Sequence, residues 1–381
     1  MEAALIPIAE KVYAGQRLSA EDGLTLLRSG DIWSIGELAG HVRRKLHGQT
    51  AYYNVNRHLN YSNICALSCK FCAFYRKKGD DGAYEFSVEE AAAQALQAQQ
   101  AGATEMHIVG GLHPYLPFSY YTQMLSAIRD AAPMLHIKAF TAVEIVHLAR
   151  ISKRPQDVRG VLADLKAAGL GSLPGGGAEV FDDRVHDEAF KGKIRSDRWL
   201  EVHRTAHELG LMSNATILYG HIESLEDRVH HFCLLREAQD EAIERGYAGR
   251  FQTVIPLPFV PDDSQLQHLP GPGGLDDLKM LAVSRLMLDN FAHVKAFWIM
   301  QTLPLSQLSL DFGVDDIDGT VVWYDITKVG GGDTHQEVTA SDLRKAVREA
   351  GYEPVERDTL YRRVLRDGAR WRVARSELAV G

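Results

Sequence analysis

The chain has 381 residues, 45% of them hydrophobic and 24% charged. These are the proportions of an ordinary folded protein and exclude a mainly disordered, collagen-like or coiled-coil chain. Its 42 basic and 50 acidic residues leave a formal net charge of −8, so no global positive field draws it to nucleic acid.

No apolar run approaches the ~18 residues that a membrane span requires. The start, Met1-Glu-Ala-Ala-Leu-Ile-Pro7, lacks the basic segment and long apolar stretch of a secretory signal. The expectation is a cytoplasmic protein with no membrane partner.

Residues 1–50 read as a helical, polar extension. Ser19-Ala-Glu-Asp22 caps one helix, and a second over Ile35–Leu46 carries Arg43-Arg-Lys45, which reads as a solvated face. From Ala51 onward strand and helix alternate. The strands are expected at Tyr52–Tyr61, Glu105–Val109, His136–Phe140, Leu170–Leu173, Met212–Tyr219, Phe251–Leu257, Val294–Met300 and Asp316–Val322. Ser87-Val-Glu-Glu90 is a capping box opening an alanine-rich helix that stops near Gly102. Ser196 opens another that ends near Gly210, Ser224 one that ends near Gly246, and Pro272-Gly-Gly precedes a fourth through Met287.

Eight β–α units predict an α/β fold with a parallel sheet closed into a complete (β/α)8 barrel over 51–327. A C-terminal extension, 328–381, is expected to pack on the barrel. It has a flexible Gly330-Gly-Gly332 loop, a helix over Ser341–Glu349 and a basic tail. Chemistry on such a barrel sits on the loops that follow the strands.

The four cysteines are Cys65, Cys69, Cys72 and Cys233. They are too few and too clustered for a disulfide scaffold. The first three make C-x3-C-x2-C directly after the first strand. Three thiolates on one compact loop can hold three irons of a cubic iron–sulfur cluster, which ordinarily takes four. With no fourth cysteine nearby, one iron stays open to a small ligand, and an open metal position is the mark of a catalytic site. A zinc-binding protein using these thiols with His58 is one alternative, and a redox C-x2-C pair is another, although it leaves Cys65 unexplained. Cys233, between Phe232 and Leu234 on a helix, reads as a buried free thiol.

Phe71 precedes the last cysteine of the motif. C-x3-C-x-aromatic-C after the first strand of an α/β barrel resembles the radical S-adenosylmethionine (radical SAM) superfamily. The resemblance implies a radical SAM barrel whose Cys65, Cys69 and Cys72 hold a 4Fe–4S cluster. The amine and carboxylate of SAM would chelate the open iron, and one electron would cleave SAM to methionine and a 5′-deoxyadenosyl radical.

Further loops carry candidates for the same site. Gly110 and Gly111, in Val109-Gly-Gly-Leu-His-Pro114, permit close backbone approach to a ligand. Superfamily members often have Gly-Gly-Glu here. Leu112 replaces the acid, which leaves backbone contact as the expectation. Gly175, Gly176 and Gly177 follow the fourth strand, with Glu179 set to bind ribose hydroxyls or the ammonium of SAM, and Lys193 to pair with its carboxylate. Glu144 ends the third strand, where it could bind the cofactor or act on substrate. His221, after a glycine at the end of the fifth, is a candidate acid–base or hydrogen-bond donor. His207, His230 and His231 lie on helices and read as surface or packing residues.

A narrower resemblance rests on several phrases together. They are His58-Leu-Asn-Tyr-Ser-Asn-Ile-Cys65, Cys69-Lys-Phe-Cys-Ala-Phe-Tyr-Arg76, Ile137-Lys-Ala-Phe-Thr-Ala-Val-Glu-Ile145, Leu173-Pro-Gly-Gly-Gly-Ala-Glu179, Ala215-Thr-Ile-Leu-Tyr-Gly-His-Ile-Glu223 and Arg285-Leu-Met-Leu-Asp-Asn-Phe291. This set resembles the group that holds the two radical enzymes of futalosine-dependent menaquinone (quinone) biosynthesis and the F0 synthase. Phe140-Thr-Ala-Val-Glu-Ile145, Tyr219-Gly-His-Ile-Glu223 and Asp318-Gly-Thr-Val-Val322 point within it to the aminodeoxyfutalosine synthase family.

That resemblance implies a transferase that consumes SAM. The adenosyl radical adds to the vinyl group of an aryl enol ether, 3-[(1-carboxyvinyl)oxy]benzoate. The aryl group migrates and one carboxyl group leaves as bicarbonate. A low-potential donor, flavodoxin or ferredoxin, would supply the electron. Arg57, Arg76 and Arg285 are candidates for the substrate carboxylates, since arginine binds them in bidentate fashion. Dehypoxanthine futalosine cyclase and the F0 synthase subunit are the alternatives within the group.

Overall fold

The computed structural model describes residues 1–321 and 337–374. Its strands are short, and each barrel strand pairs in parallel with the next in sequence. Seven of them, β2 (Asn56–Leu59), β3 (Glu105–Ile108), β4 (His136–Ala139), β5 (Ser172–Leu173), β6 (Met212–Tyr219), β7 (Phe251–Pro258) and β8 (His293–Val294), form one sheet in that order. β1 (Thr50–Asn54) runs directly before β2 and pairs in parallel with β9 (Asp316–Gly319). Lys295, just past β8, bridges Asp316, and the Ala296 N–H donates to the Asp316 carbonyl at 2.9 Å. These bonds carry the sheet from its last strand back to its first.

Three helices, α1 (Ile6–Tyr13), α2 (Ala20–Arg28) and α3 (Ile32–His47), precede the barrel. Around it follow α4 (Val88–Gln100), α5 (Phe118–Ala131), α6 (Ala142–Ile151), α7 (Val158–Ala168), α8 (Asp183–Ala189), α9 (Ser196–Glu208), α10 (Leu225–Glu244), α11 (Gly274–Met287), α12 (Trp298–Gln301) and α13 (Leu303–Ser309). Among the described residues, four helices begin with a full capping box: Ser19 with Asp22, Ser87 with Glu90, Thr141 with Glu144, and Ser224 with Asp227. Each box satisfies orphan N–H groups at a helix start. The inner face of α4 is Ala91, Ala95 and Ala98, small enough for close approach, whereas α5 buries Met124, Leu125 and Ile128. Each of these larger side chains contributes roughly 1.5–3 kcal/mol of burial.

Four expectations change. The apolar run Val294–Met300 is not one strand: it leaves the sheet after Val294 and turns into α12, where the indole of Trp298 donates to the Gly319 carbonyl at 2.8 Å. Arg43 is not solvated. It is fully buried and donates to the carbonyls of Val314, Gly48 and Thr50, with its guanidinium 3.9 Å from the Tyr352 ring centre. Only Arg44 and Lys45 of that run face solvent. The run Tyr52–Tyr61 is two strands, broken at Val55 into β1 and β2, which belong to separate sheets. The basic tail is structured: after α14 (Ala340–Glu349), β10 (Glu353–Glu356) pairs in parallel with β1, and β11 (Val364–Asp367) and β12 (Arg370–Val373) form a hairpin. The glycine stretch 330–332 and the boundary at 327/328 lie outside the described residues.

This C-terminal segment closes the end of the barrel where the strands begin. Arg357 pairs with Asp316 at 2.6 Å, the Tyr361 ring stacks on His293 at 3.5 Å, and the Trp371 indole donates to the Ala103 carbonyl at 3.2 Å. The opposite end stays open.

Candidate active site

At the open end lies a cavity of about 310 Å³. Cys65, Cys69 and Cys72 line it, on the loop after β2, and all four cysteines of the chain are free thiols. The loop is fixed by backbone bonds: Cys65 N–H to Arg76 O at 3.0 Å, Ala66 N–H to Leu112 O at 2.9 Å, and Lys70 N–H to Ala189 O at 3.0 Å. The sulfur of Cys65 accepts from the N–H groups of Leu67 and Leu112, each at 3.4 Å. Burial pushes the Cys69 thiol up to about 11 and raises Cys72 as well. Bare thiolates are therefore costly here, and a cation that ligates them relieves the cost. Cys233, half-buried in α10, is not part of the lining.

Gly110 and Gly111 line the cavity where β3 ends. A side chain on Gly110 would meet the Tyr61 ring at 2.7 Å, and one on Gly111 would meet the Ile64 backbone. These glycines let the second loop lie directly against the cysteine loop. Behind them is Glu144, whose Oε1 accepts from Tyr61 Oη at 2.9 Å and Gly110 N–H at 3.1 Å. Its Oε2 accepts from Thr141 N–H and Oγ1, both at 2.8 Å. Burial nevertheless lifts this carboxyl to about 7. Glu144 holds Gly110 in place and has no oxygen left over.

Gly175, Gly176 and Gly177 line the cavity after β5. Added side chains would strike the Ala215 backbone at position 175 and Val143 at position 177, where φ is +86°; at 176 only a Thr141 methyl lies near, at 3.1 Å. Glu179, at the left-handed φ of +49°, forms an ion pair with Lys193, and both line the cavity beside the cysteine loop. The Lys193 ammonium stands 4.9 Å from the Phe71 ring centre. Burial disfavours its charge, but Glu179 and the neighbouring Cys69 sulfur hold it firmly protonated.

His221 is elsewhere. Its Nε2 bonds the Leu218 carbonyl at 3.1 Å, Nδ1 lies 3.4 Å from Glu223, and the residue does not line the cavity. The chain bends at Gly220, straight after β6, and the imidazole turns back to the Leu218 carbonyl. Arg57, Arg76 and Arg285 are outside the lining as well. Arg57 binds Asn56 O and Thr320 Oγ1, Arg76 binds Ala73 O and Tyr75 O, and Arg285 binds Gly313 O, Ala292 O and Asp315. His207 and His231 are buried packing residues and His230 is exposed.

The barrel interior supplies residues that the loop-based reading passed over. His58, His107, Lys138, Thr216, Lys295 and Asp318 form the cavity floor. His58, His107 and Lys138 are direct neighbours across β2, β3 and β4. A signal for them exists in the sequence: Asn56/His58, Glu105/His107, His136/Lys138, Asn214/Thr216, His293/Lys295 and Asp316/Asp318 are polar pairs two apart on six strands. That spacing puts both members on one face. Burial lowers His58 to about 4 and keeps both histidines neutral. Lys138 pairs with Glu105 at 2.5 Å and Lys295 with Asp318 at 2.9 Å.

A parallel α/β barrel with three thiols facing its open mouth defines the class, a barrel enzyme built around a site-open metal cluster. Comparison with known proteins gives the family. Residues 59–235 match the radical SAM superfamily and residues 248–367 the CofH/MqnC C-terminal region. The chain is 46% identical to the aminodeoxyfutalosine synthase of Thermus thermophilus, covering 94% of this chain and 96% of that one. It is 37% identical to a 5-amino-6-(D-ribitylamino)uracil–L-tyrosine 4-hydroxyphenyl transferase of Archaeoglobus fulgidus, covering 85% and 92%. Among solved structures, methylornithine synthase superposes with a TM-score of 0.69 at 19% identity, over 91% of this chain and 97% of that one, which is a likeness of fold.

The chain belongs to the radical SAM superfamily, in the branch with the CofH/MqnC C-terminal region. It is an enzyme whose cofactors are a 4Fe–4S cluster and SAM, and the donor set of three free thiols on one cavity wall suits that cluster. No helix among the described residues is long and apolar enough to cross a membrane.

Proposed function

We propose that the chain is an aminodeoxyfutalosine synthase of menaquinone biosynthesis. It would join the 5′-deoxyadenosyl part of SAM to 3-[(1-carboxyvinyl)oxy]benzoate, with methionine and bicarbonate as the other products. The single observation that carries this reading is one cavity walled by three thiols at its mouth and floored by buried cations.

In this reading Cys65, Cys69 and Cys72 hold the cluster. Bound there, cluster and SAM supply a 5′-deoxyadenosyl radical on receipt of one electron from a flavodoxin or ferredoxin. Lys193 and Glu179 exchange their mutual contact for the carboxylate and ammonium of SAM, a swap that keeps every buried charge paired. Gly110, Gly111, Gly176 and Gly177 offer backbone within reach of the cofactor. Glu144 positions the Gly110 loop and is not a free base. Leu218, Ile255, Leu257, Phe259, Phe297 and Met300 line the rest of the cavity. Their apolar surface keeps water from the radical and gives the aryl ring a place to lie. His221 is not needed for contact with the reacting atoms.

Product analysis tests the reading. The anaerobically reconstituted enzyme, given SAM, dithionite and the enol ether, should form aminodeoxyfutalosine in step with methionine. Turnover of dehypoxanthine futalosine, or of tyrosine with the ribitylaminouracil, in place of the enol ether would assign the chain to a sister activity instead.

A further inference from the structure

We propose that Lys138 and Lys295 seat the aryl carboxylate of the substrate on the barrel floor, each ammonium held in aim by its own acid. The inference rests on the reaction proposed above and adds where the benzoate end goes.

The two lysines are 4% and 3% exposed, yet both line the cavity. An ammonium has three N–H donors. Among the described residues each makes one hydrogen bond, Lys138 to Glu105 and Lys295 to Asp318. Two donors on each are therefore left for whatever fills the cavity. Two large buried arginines differ. Arg285 is engaged by Gly313, Phe291, Ala292 and Asp315, and Arg43 by three carbonyls, all away from the cavity.

The two ammonium groups also act on each other. Burial first, and then the nearness of Lys295, depresses Lys138 against the pull of Glu105. Two like charges in a desolvated site repel strongly, and an anion between them relieves that repulsion where a neutral amide does not. The acid partners fix the aim. Asp318 holds a left-handed φ of +65°, which a non-glycine residue keeps only when its surroundings over-determine it. Its N–H donates to Asp316 Oδ1 at 2.7 Å, and the next residue, Gly319, has no room for a side chain beside Asn56.

Placement selects which carboxylate is meant. The lysines lie within or just beyond the strands, one layer below the cysteine and glycine loops, so the vinyl end must point up to the cofactor. The carboxylate at the floor is the one on the ring, which the proposed reaction retains.

Binding to the reconstituted holoenzyme tests this with 3-hydroxybenzoate and 3-hydroxybenzamide as probes. Wild type should bind the acid at least ~10-fold more tightly than the amide, the scale of a charge-assisted bond. Lys138→Gln and Lys295→Gln should bring that ratio toward one while the visible cluster absorption stays. Lys295→Gln/Asp318→Asn removes both charges of one pair and guards against misfolding of the single variants; it should lose the preference too. With the enol ether, KM should rise while SAM is still cleaved to 5′-deoxyadenosine. Equal wild-type binding of the two probes, or an acid preference that survives both in Lys138→Gln and in the double variant, overturns the proposal. If the wild type prefers the acid but makes no aminodeoxyfutalosine, the floor stands and the proposed reaction fails.

Discussion

The two ends of the barrel both bury charge, and they handle it in opposite ways. At the closed end Asp315 takes an ion pair from Arg285, a 2.6 Å contact from His293 and a 2.9 Å bond from the Val294 N–H. His47, His293 and Asp315 gather donor atoms within 4.8 Å of one another, as a metal site would. Each is already committed, however: His47 to the Ala292 carbonyl at 2.8 Å, and Asp315 to an arginine. At the open end Lys138, Lys193 and Lys295 each have a single acid partner among the described residues and a cavity in front of them. Buried arginine with its donors used up is architecture. Buried lysine with donors to spare and a cavity beside it is a binding site in waiting. The arginines Arg57, Arg76 and Arg285 are of the first kind, engaged by protein oxygens and outside the lining.

The contrast breaks most plainly at the thiols. Cys65→Ala, Cys69→Ala or Cys72→Ala should each abolish SAM cleavage and lower bound iron, read by iron assay, visible absorption and 5′-deoxyadenosine yield. Cys233→Ala should leave all three near wild type. Full activity without any one of the loop cysteines would remove it from the cluster.

At the closed end the loss should be of stability, not chemistry. Asp315→Ala leaves Arg285 buried without its anion, which costs roughly 3–5 kcal/mol. Thermal denaturation should show a large fall in Tm, while protein purified and assayed cold still cleaves SAM. A normal Tm would mean that this network contributes little.

Glu144 joins the two behaviours, being buried and saturated but at the open end. Glu144→Ala strips partners from the Gly110 N–H and Tyr61 hydroxyl, at about 1–3 kcal/mol for groups left unpaired. It should weaken SAM binding through the Gly110 loop. Its carboxyl titrates near 7 in the fold, above its ordinary value of 4.5. The folded protein thus holds the proton more tightly than the unfolded chain. The stability it contributes is full below about pH 4.5 and is lost as pH rises through about 7. Denaturant titrations across that range should show the slope in wild type and a flatter one in Glu144→Ala.

The smallest effect is expected at His221. Tied to the Leu218 carbonyl and absent from the lining, it should tolerate Ala with product formation within about twofold of wild type. A loss of ~10²–10⁴-fold with the cluster fully loaded is what a general acid–base would give, and that result would return His221 to the chemistry.

Much of the fold was legible in the chain, because the signals are local. Capping boxes at Ser87 and Ser224 and the alternation of apolar runs with helical segments need only neighbours in sequence. The cysteine motif was legible for the same reason, since all three ligands lie within eight residues on one loop. Where the reading went astray, the deciding contact was distant. Val294–Met300 has strand-like composition, but the Gly319 carbonyl, at the end of the neighbouring β9, captures Trp298 and the run turns. Arg43 sits in a basic run, yet carbonyls at 48, 50 and 314 take its guanidinium inside. The C-terminal tail pairs as β10 only because β1 presents a free edge some 300 residues earlier.

By itself the sequence determined the class of chemistry: three thiols at fixed spacing, glycines after strands and an α/β alternation that places them at one end of a barrel. Only the tertiary structure decided which charged groups meet the cavity. A polar residue on a strand points inward or outward by its phase alone. Whether the ring of strands is open above it or closed by a plug depends on segments far away in the chain. Lys138 and His136 sit two residues apart on the same strand, and barrel closure leaves one facing the cavity and the other half-buried outside its lining.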